Sequence, residues 1–149
     1  MKALRIALIA VALLGSVPQG FAKGPTAVTD LDKALEQAKT EKKLLFIQYG
    51  REACGNCQAL RSYVAKNEVR LPKDKFVYAD VSCDDKTTSA AFRKHFKVEG
   101  STLPFVVVAD AEGRQLAGRT GYGTAAEFKK FLQQAQSKKP ADASKTPAK

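Results

Sequence analysis

Residues 44–57, LLFIQYGREACGNC, decide the fold of this chain. Their first part, Leu44–Tyr49, is mostly apolar and is followed by Gly50, a pattern typical of a short strand buried on both faces of a sheet. Cys54 and Cys57 come next, at the predicted start of a helix. A two-residue spacer at a helix start lets two sulfur atoms reach disulfide distance. The stretch therefore predicts a buried strand that delivers a cysteine pair to a helix N-terminus.

This position favours thiol chemistry. Backbone N–H groups and the helix dipole stabilise negative charge at a helix N-terminus, and the thiolate is the nucleophile in disulfide exchange. We expect Cys54 to be the outer sulfur, which attacks or is attacked to give a mixed disulfide, and Cys57 to resolve that intermediate. Asn56 is neutral and the spacer holds no His or Arg. This composition argues against a very strong oxidant.

Two other interpretations of the cysteine pair stay open from the residues alone. The first is half of a zinc site, but zinc needs four ligands and only Cys83 and His95 remain as further soft ligands. The second is an inert structural disulfide, although so small a loop would stabilise the fold very little. We expect no metal and no cofactor.

Helical and strand patterns alternate along the rest of the chain. Strands separated by helices favour parallel pairing in a sheet that is covered on both sides. Thr124 and Glu127 form a predicted capping box before the last helix. The other predicted elements, in order, are helix 29–43, strand 44–49, helix 58–68, strand 76–81, helix 87–96, strand 105–109 and strand 114–119.

Thr102-Leu103-Pro104 precedes the apolar strand Phe105–Ala109. A proline at this point cannot donate a hydrogen bond to the sheet and indicates a special backbone geometry, although an ordinary turn proline is the simpler interpretation. The combination of this proline with the cysteine pair after the first buried strand is more specific for a fold than either motif alone.

Together these motifs resemble the thioredoxin superfamily over residues 29–136, and in particular its secreted thioredoxin-like proteins. The resemblance implies an α/β fold of three layers, with a mixed central sheet and helices on both faces. It also implies that Pro104 is cis and packs opposite the cysteine pair. In the same way, Thr102 and Leu103 would face the substrate, and the backbone there would pair with an extended substrate segment.

The sequence departs from the family pattern at several positions. Ala53 stands where the family usually has Trp before the first cysteine, and the chain has no Trp. Gln48 stands where many thioredoxins have a buried acid, and its basic partner on the neighbouring strand would fall near Tyr78, which is not basic. Proton transfer to and from Cys57 therefore needs water or another group, or turnover is slow.

The two ends of the chain differ from its middle. Residues 1–22 have the basic, apolar and small-residue layout of a secretory signal, with a cut expected after Ala22, and the apolar run is too short for a membrane anchor. Residues 137–149 carry no large apolar side chain and are expected to be a disordered basic tail. We therefore expect a single domain over residues 23–136, located in the periplasm or secreted, with no stable membrane insertion.

The net charge of +10 first suggests an acidic partner such as nucleic acid. The signal segment contributes +2 and the tail +3, which leaves +5 for residues 23–136. There the basic residues are scattered without interleaved aromatic side chains, so nucleic acid is not expected as a partner.

Cys83 is the third cysteine, and it follows the second predicted strand. If that strand is parallel to the first, Cys83 emerges at the same sheet edge as the redox pair. It is either a lone, half-buried thiol or an extra redox thiol, whose ionisation Asp84 and Asp85 would oppose.

The sequence favours an exported thiol–disulfide oxidoreductase that exchanges disulfides with protein substrates through Cys54 and Cys57. Its expected partners are protein thiols and disulfides and a redox donor or acceptor protein, and the expected state is a monomer. The alternative is a thioredoxin-like binding module whose disulfide is idle. The direction of electron flow depends on the reduction potential and does not follow from the residues.

Overall fold

The structure, a computed structural model, describes residues 23–97 and 99–138. The predicted signal segment, 1–22, and the predicted tail beyond Lys138 lie outside these residues. Within the described ranges, no helix has the length and apolar character needed to cross a bilayer.

Within the described residues, four helices and four strands follow each other in the predicted order. They are α1 Leu31–Glu41, β1 Leu44–Gly50, α2 Gly55–Ala65, β2 Phe76–Ser82, α3 Lys86–His95, β3 Phe105–Ala109, β4 Gln115–Thr120 and α4 Ala125–Ser137.

The bounds of α2 differ most from the prediction, because the helix starts and ends about one turn earlier than residues 58–68. It begins directly after Cys54, whose sulfur takes the place of a capping oxygen. It ends early because Asn67 adopts a left-handed conformation with φ of 61°. The N–H groups of Glu68 and Val69 then both turn back to donate to the carbonyl of Tyr63.

The sheet is mixed, with strand order β2-β1-β3-β4. β1 and β2 are parallel, whereas β3 is antiparallel to both β1 and β4. The alternation of helices and strands alone predicts parallel pairing for β3, and that expectation is wrong. β3 lies on the side of β1 away from β2 and runs in the opposite direction, so its first residue, Phe105, pairs with Tyr49 near the end of β1. This orientation brings Pro104 to the edge where β1 delivers the cysteine pair.

Side chains alternate between the two faces of β1 and build two apolar layers. Leu45, Ile47 and Tyr49 belong to the cluster beneath α1 and α3, where the ring of Tyr49 stacks on that of Phe92 with 4.1 Å between centroids. Phe46 belongs to the second cluster, which packs under α2 and α4. The arrangement is the expected three-layer α/β fold, and it fixes which face of β1 looks toward α2.

Side chains cap the helices that follow strands. The predicted capping box is present, with Thr124 accepting from the N–H of Glu127 and the Glu127 carboxylate accepting from the N–H of Thr124. The latter bond is the main reason that the pKa of Glu127 is lowered. Asp85 caps α3 by accepting from the N–H of Thr88 at 2.6 Å.

Candidate redox site

The cysteine pair lies where β1 passes into α2. Cys54 and Cys57 form a disulfide, with their Cα atoms 5.2 Å apart. The backbone N–H of Cys57 donates to Cys54 Sγ at 3.2 Å, so the outer sulfur accepts a donor of the first helical turn. Cys54 is half-buried, whereas Cys57 is completely buried. The arrangement leaves Cys54 as the more accessible sulfur and gives its thiolate a stabilising hydrogen bond.

Gly50 is the point at which β1, Cys57 and Pro104 meet. A Cβ atom at residue 50 would lie 2.6 Å from Cys57 Sγ and 3.7 Å from Pro104 Cβ. Only a residue without a side chain therefore fits between the strand end and the inner sulfur. This close approach seats Cys57 against the sheet and places Pro104 on the same side.

The segment Thr102–Pro104 is held from two directions. Its Leu103–Pro104 peptide bond is cis. The N–H of Gly121 donates to the carbonyls of Thr102 at 3.1 Å and Pro104 at 2.9 Å. From the other side, Asn56 Nδ2 donates to the carbonyl of Leu103 at 3.4 Å. Thr102 is exposed, Leu103 is half-buried and Pro104 is buried, so the segment presents its first two residues beside the cysteine pair.

Tyr122 follows Gly121, whose N–H holds the segment Thr102–Pro104. Tyr122 was not identified as a site residue from the sequence. Its side chain is 46% exposed and is the one large hydrophobic side chain that is exposed in the described part of the chain. Its hydroxyl pairs with that of Tyr63 on α2, and the two rings lie 6.1 Å apart. The only signal in the sequence is an aromatic residue between Gly121 and Gly123. Tyr122 thus supplies aromatic surface near a site that lacks a Trp.

The residue paired with Gln48 on the neighbouring strand differs from the sequence prediction. The β1–β2 register places Asp80, and not Tyr78, opposite Gln48. Asp80 accepts two hydrogen bonds from Arg61 of α2, at 2.5 Å from Nε and 3.3 Å from Nη2. This pairing is the largest cause of the raised pKa of Arg61. The prediction failed because it assumed a register that is shifted by two residues along β2.

Gln48 itself is completely buried. Its Nε2 donates to the carbonyl of Cys57 at 3.1 Å, so the side chain ties β1 to the inner cysteine. Its Oε1 is a buried acceptor without a hydrogen-bond partner among the described residues. The buried hydroxyl of Tyr78 also has no hydrogen-bond partner among them. Burial raises the pKa of Tyr78, so this hydroxyl stays protonated.

Cys83 lies at the same edge of the sheet as the pair, because its N–H donates to the carbonyl of Gly50 at 2.7 Å. The thiol is free and half-buried, and it packs against the cluster under α3. The pKa of the nearby Arg51 guanidinium is raised, mainly by its interaction with the Cys83 side chain. Arg51 also pairs with Asp84 at 3.3 Å, and Asp85 is engaged in capping α3. The Cys83 thiol itself donates to Asp84 Oδ1 at 3.9 Å.

Within residues 23–97 and 99–138, no group of three His, Cys, Asp or Glu side chains lies close enough together to hold a metal ion. His95 is exposed at the end of α3, and its ring centroid lies 6.0 Å from that of Phe96. Cys54 and Cys57 are joined to each other.

Comparisons with known proteins agree with this geometry. The sequence pattern of a family described as a thioredoxin-like domain matches residues 31–136. A comparison with curated proteins finds no match.

Among solved structures, the chain is similar to a mutant thioredoxin from Halobacterium salinarum NRC-1, with 19% identity, a TM-score of 0.55, and 78% of this chain and 95% of that chain covered. It is also similar to thioredoxin F from spinach chloroplast, with 17% identity, a TM-score of 0.53, and coverage of 75% and 84%. Thioredoxin O2 from Arabidopsis thaliana is also similar, with 19% identity, a TM-score of 0.52, and 69% of this chain and 84% of that chain covered. These likenesses show the fold.

Proposed function

Because this chain belongs to the thioredoxin-like family and carries a cysteine pair at the start of α2, we propose that it is a thiol–disulfide oxidoreductase acting on protein disulfides. The observation that carries the proposal is the asymmetry of the pair. Cys54 is the accessible sulfur and accepts a helix N–H at 3.2 Å, whereas Cys57 is fully buried behind it.

In the direction that reduces a substrate, the thiolate of Cys54 attacks one sulfur of the substrate disulfide. The substrate S–S bond breaks, a mixed disulfide forms, and the leaving thiolate takes a proton from solvent. Cys57 then loses its proton and attacks Cys54 Sγ, which releases the second substrate thiol and closes the Cys54–Cys57 disulfide. Two electrons pass from the pair to the substrate, and the reverse sequence oxidises a substrate dithiol.

The segment before Pro104 supports an extended protein substrate as the partner. Thr102 is exposed and Leu103 half-buried beside the pair, and their backbone offers polar groups to a passing strand. The aromatic side chain of Tyr122 lies next to Gly121, which anchors this segment. A substrate cysteine flanked by an apolar residue fits this surface best.

The layout of residues 1–22 supports export to an oxidising compartment, where a protein of this kind meets disulfides. Each turnover leaves Cys54 and Cys57 in the opposite state, so a redox donor or acceptor must restore the pair, and a second protein is the partner we propose for this role.

Trapping of mixed disulfides tests the proposal. Without the resolving thiol, Cys57→Ser stops at the mixed disulfide, so we expect it to accumulate covalent adducts with a denatured, disulfide-bonded protein. Cys54→Ser should form few adducts, because the remaining thiol of the pair, Cys57, is buried; both variants carry Cys83→Ser so that the free, half-buried third thiol does not contribute. Non-reducing gel electrophoresis separates the two results. Equal trapping by both variants would contradict the assigned roles, and no trapping by either would favour a binding module with an idle disulfide.

A further inference from the structure

The amide of Gln48 is the least satisfied polar group beside the redox pair. Its side chain is 0% exposed, and Nε2 donates to the carbonyl of Cys57 at 3.1 Å. This bond fixes which end of the amide is the donor, since a carbonyl oxygen turned toward Cys57 O would oppose two acceptors. Oε1 is therefore a buried acceptor with no partner in the described residues. Such a group is costly to leave unpaired.

Neighbouring side chains do not supply the missing donor. Asp80, opposite Gln48 in the sheet, accepts from Arg61 with both oxygens, at 2.5 and 3.3 Å. The Arg61 Nη2 that contacts Asp80 also donates to the carbonyl of Arg51 at 3.5 Å, and within the described residues no hydrogen bond joins Arg61 to the Gln48 amide. The hydroxyl of Tyr78, the other buried group without a partner, does not reach Oε1 in the structure.

Reduction of the disulfide creates a donor on this face of β1. Gln48 and Gly50 are two residues apart on β1 and face the same side of the sheet, and Cys57 Sγ lies directly over Gly50. The carbonyl of Cys57 therefore accepts from the Gln48 amide, and the sulfur of the same residue lies on the same face of β1, over Gly50. In the disulfide, that sulfur has no hydrogen, whereas the reduced thiol carries one.

We propose that Gln48 is a positioning residue whose Oε1 accepts a hydrogen bond from the Cys57 thiol, so that both ends of its buried amide have a partner only when the cysteine pair is reduced. The inference deepens the proposed thiol–disulfide exchange and rests on it. With glutathione as reductant, two glutathione thiols give up two electrons and two protons and form one glutathione disulfide. The Cys54–Cys57 bond breaks, and the proton on Cys57 becomes the hydrogen that Gln48 binds.

The contact stabilises the dithiol relative to the disulfide, which makes the pair easier to reduce. Replacing Gln48 by Met keeps a side chain of similar length and removes the acceptor. We expect Gln48→Met to lower the equilibrium constant for reduction by glutathione about fivefold, the worth of one ordinary hydrogen bond. Tyr78→Phe is the matched control, since it removes the other unpartnered buried group on the same face, and it should leave the constant within about twofold of wild type.

The redox equilibrium is measured on the folded full chain in glutathione buffers, with the thiols alkylated and counted by mass spectrometry. The infrared S–H stretch of the reduced protein is recorded alongside, with Cys54→Ser and Cys83→Ser assigning the Cys57 band. A hydrogen-bonded thiol absorbs at lower frequency, and Gln48→Met should shift this band upward. An unchanged equilibrium or an unmoved band would overturn the inference, as would an effect of Tyr78→Phe equal to that of Gln48→Met.

This outcome is separable from the fate of the proposed function. If wild type exchanges with protein substrates while Gln48→Met leaves the glutathione equilibrium unchanged, the function stands and the role of Gln48 fails. If the equilibrium shifts but wild type does not catalyse exchange with protein disulfides and Cys57→Ser traps no protein adduct, the role of Gln48 stands and the proposed function fails.

Discussion

A single methyl group at Gly50 should damage both the stability and the activity of this protein. The added Cβ would lie 2.6 Å from Cys57 Sγ and 3.4 Å from Cys57 Cβ. Ordinary contacts between non-bonded carbon atoms lie at about 3.5–4.0 Å, so the overlap with the sulfur is about 1 Å. Gly50 and Cys57 are both buried, and the inner sulfur is held by the sheet, α2 and Pro104. We therefore expect Gly50→Ala to lower the free energy of unfolding by about 1–3 kcal/mol, the usual cost of overpacking a core.

The same displacement moves the inner sulfur relative to Cys54 and the segment before Pro104. A misplacement of about 1 Å is enough to slow a reaction 100-fold, so we expect turnover of a protein disulfide to fall by roughly tenfold or more. Urea unfolding followed by circular dichroism measures the first effect, and insulin reduction with dithiothreitol measures the second.

Gly55→Ala is the matched control, because the same substitution one residue after Cys54 meets no heavy atom within 4 Å. It lies in the first turn of α2, where Ala is favoured over Gly, so its stability should equal or exceed that of wild type by up to about 1 kcal/mol. A Gly50→Ala protein as stable and as active as Gly55→Ala would refute the close packing of Gly50 against Cys57.

Two further substitutions test the N-cap of α3 and the contact between α2 and the segment before Pro104. The pKa of Asp85 is held down mainly by the N–H of Thr88, so its cap contributes stability at neutral pH that is lost as the pH falls through the lowered, folded-state value. Asp85→Ala should therefore lower the Tm near pH 7 and should match wild type in acid; a difference that does not vary with pH would contradict this. Asn56 Nδ2 donates to the carbonyl of Leu103 at 3.4 Å, and an extended substrate must compete with it for that acceptor. Asn56→Ala should lower KM for a protein disulfide about twofold and leave small disulfides unaffected, whereas a raised KM would show that the amide assists binding.

The sequence allowed the parts of the fold to be predicted where a local pattern determines the structure. Leu44–Tyr49 is apolar enough to be a strand buried on both faces, and the cysteine pair directly after it indicated the start of a helix. Thr124 and Glu127 specify their own cap by their spacing, and the structure contains that cap. Together with Pro104, these patterns were sufficient for the three-layer fold and for its family.

Contacts between distant segments were not predictable in the same way. The neighbour of Gln48 depends on the β1–β2 register, and a shift of two residues exchanges Tyr78 for Asp80 without altering the apolar pattern. The bond from Asn56 to Leu103 arises because β3 runs antiparallel to β1, which brings the first turn of α2 next to a segment 47 residues later in the chain. Such pairs follow from topology, which local periodicity does not encode.

The catalysed reduction of insulin by dithiothreitol tests the central claim most directly, since it asks whether the Cys54–Cys57 pair turns over on a protein disulfide. Wild type should accelerate the precipitation of the insulin B chain well above the uncatalysed rate, and Cys54→Ser should return it to that rate. Cys83→Ser should retain the activity, because the proposed exchange uses only the pair. A wild-type rate equal to background, or full activity in Cys54→Ser, would contradict the proposed thiol–disulfide exchange.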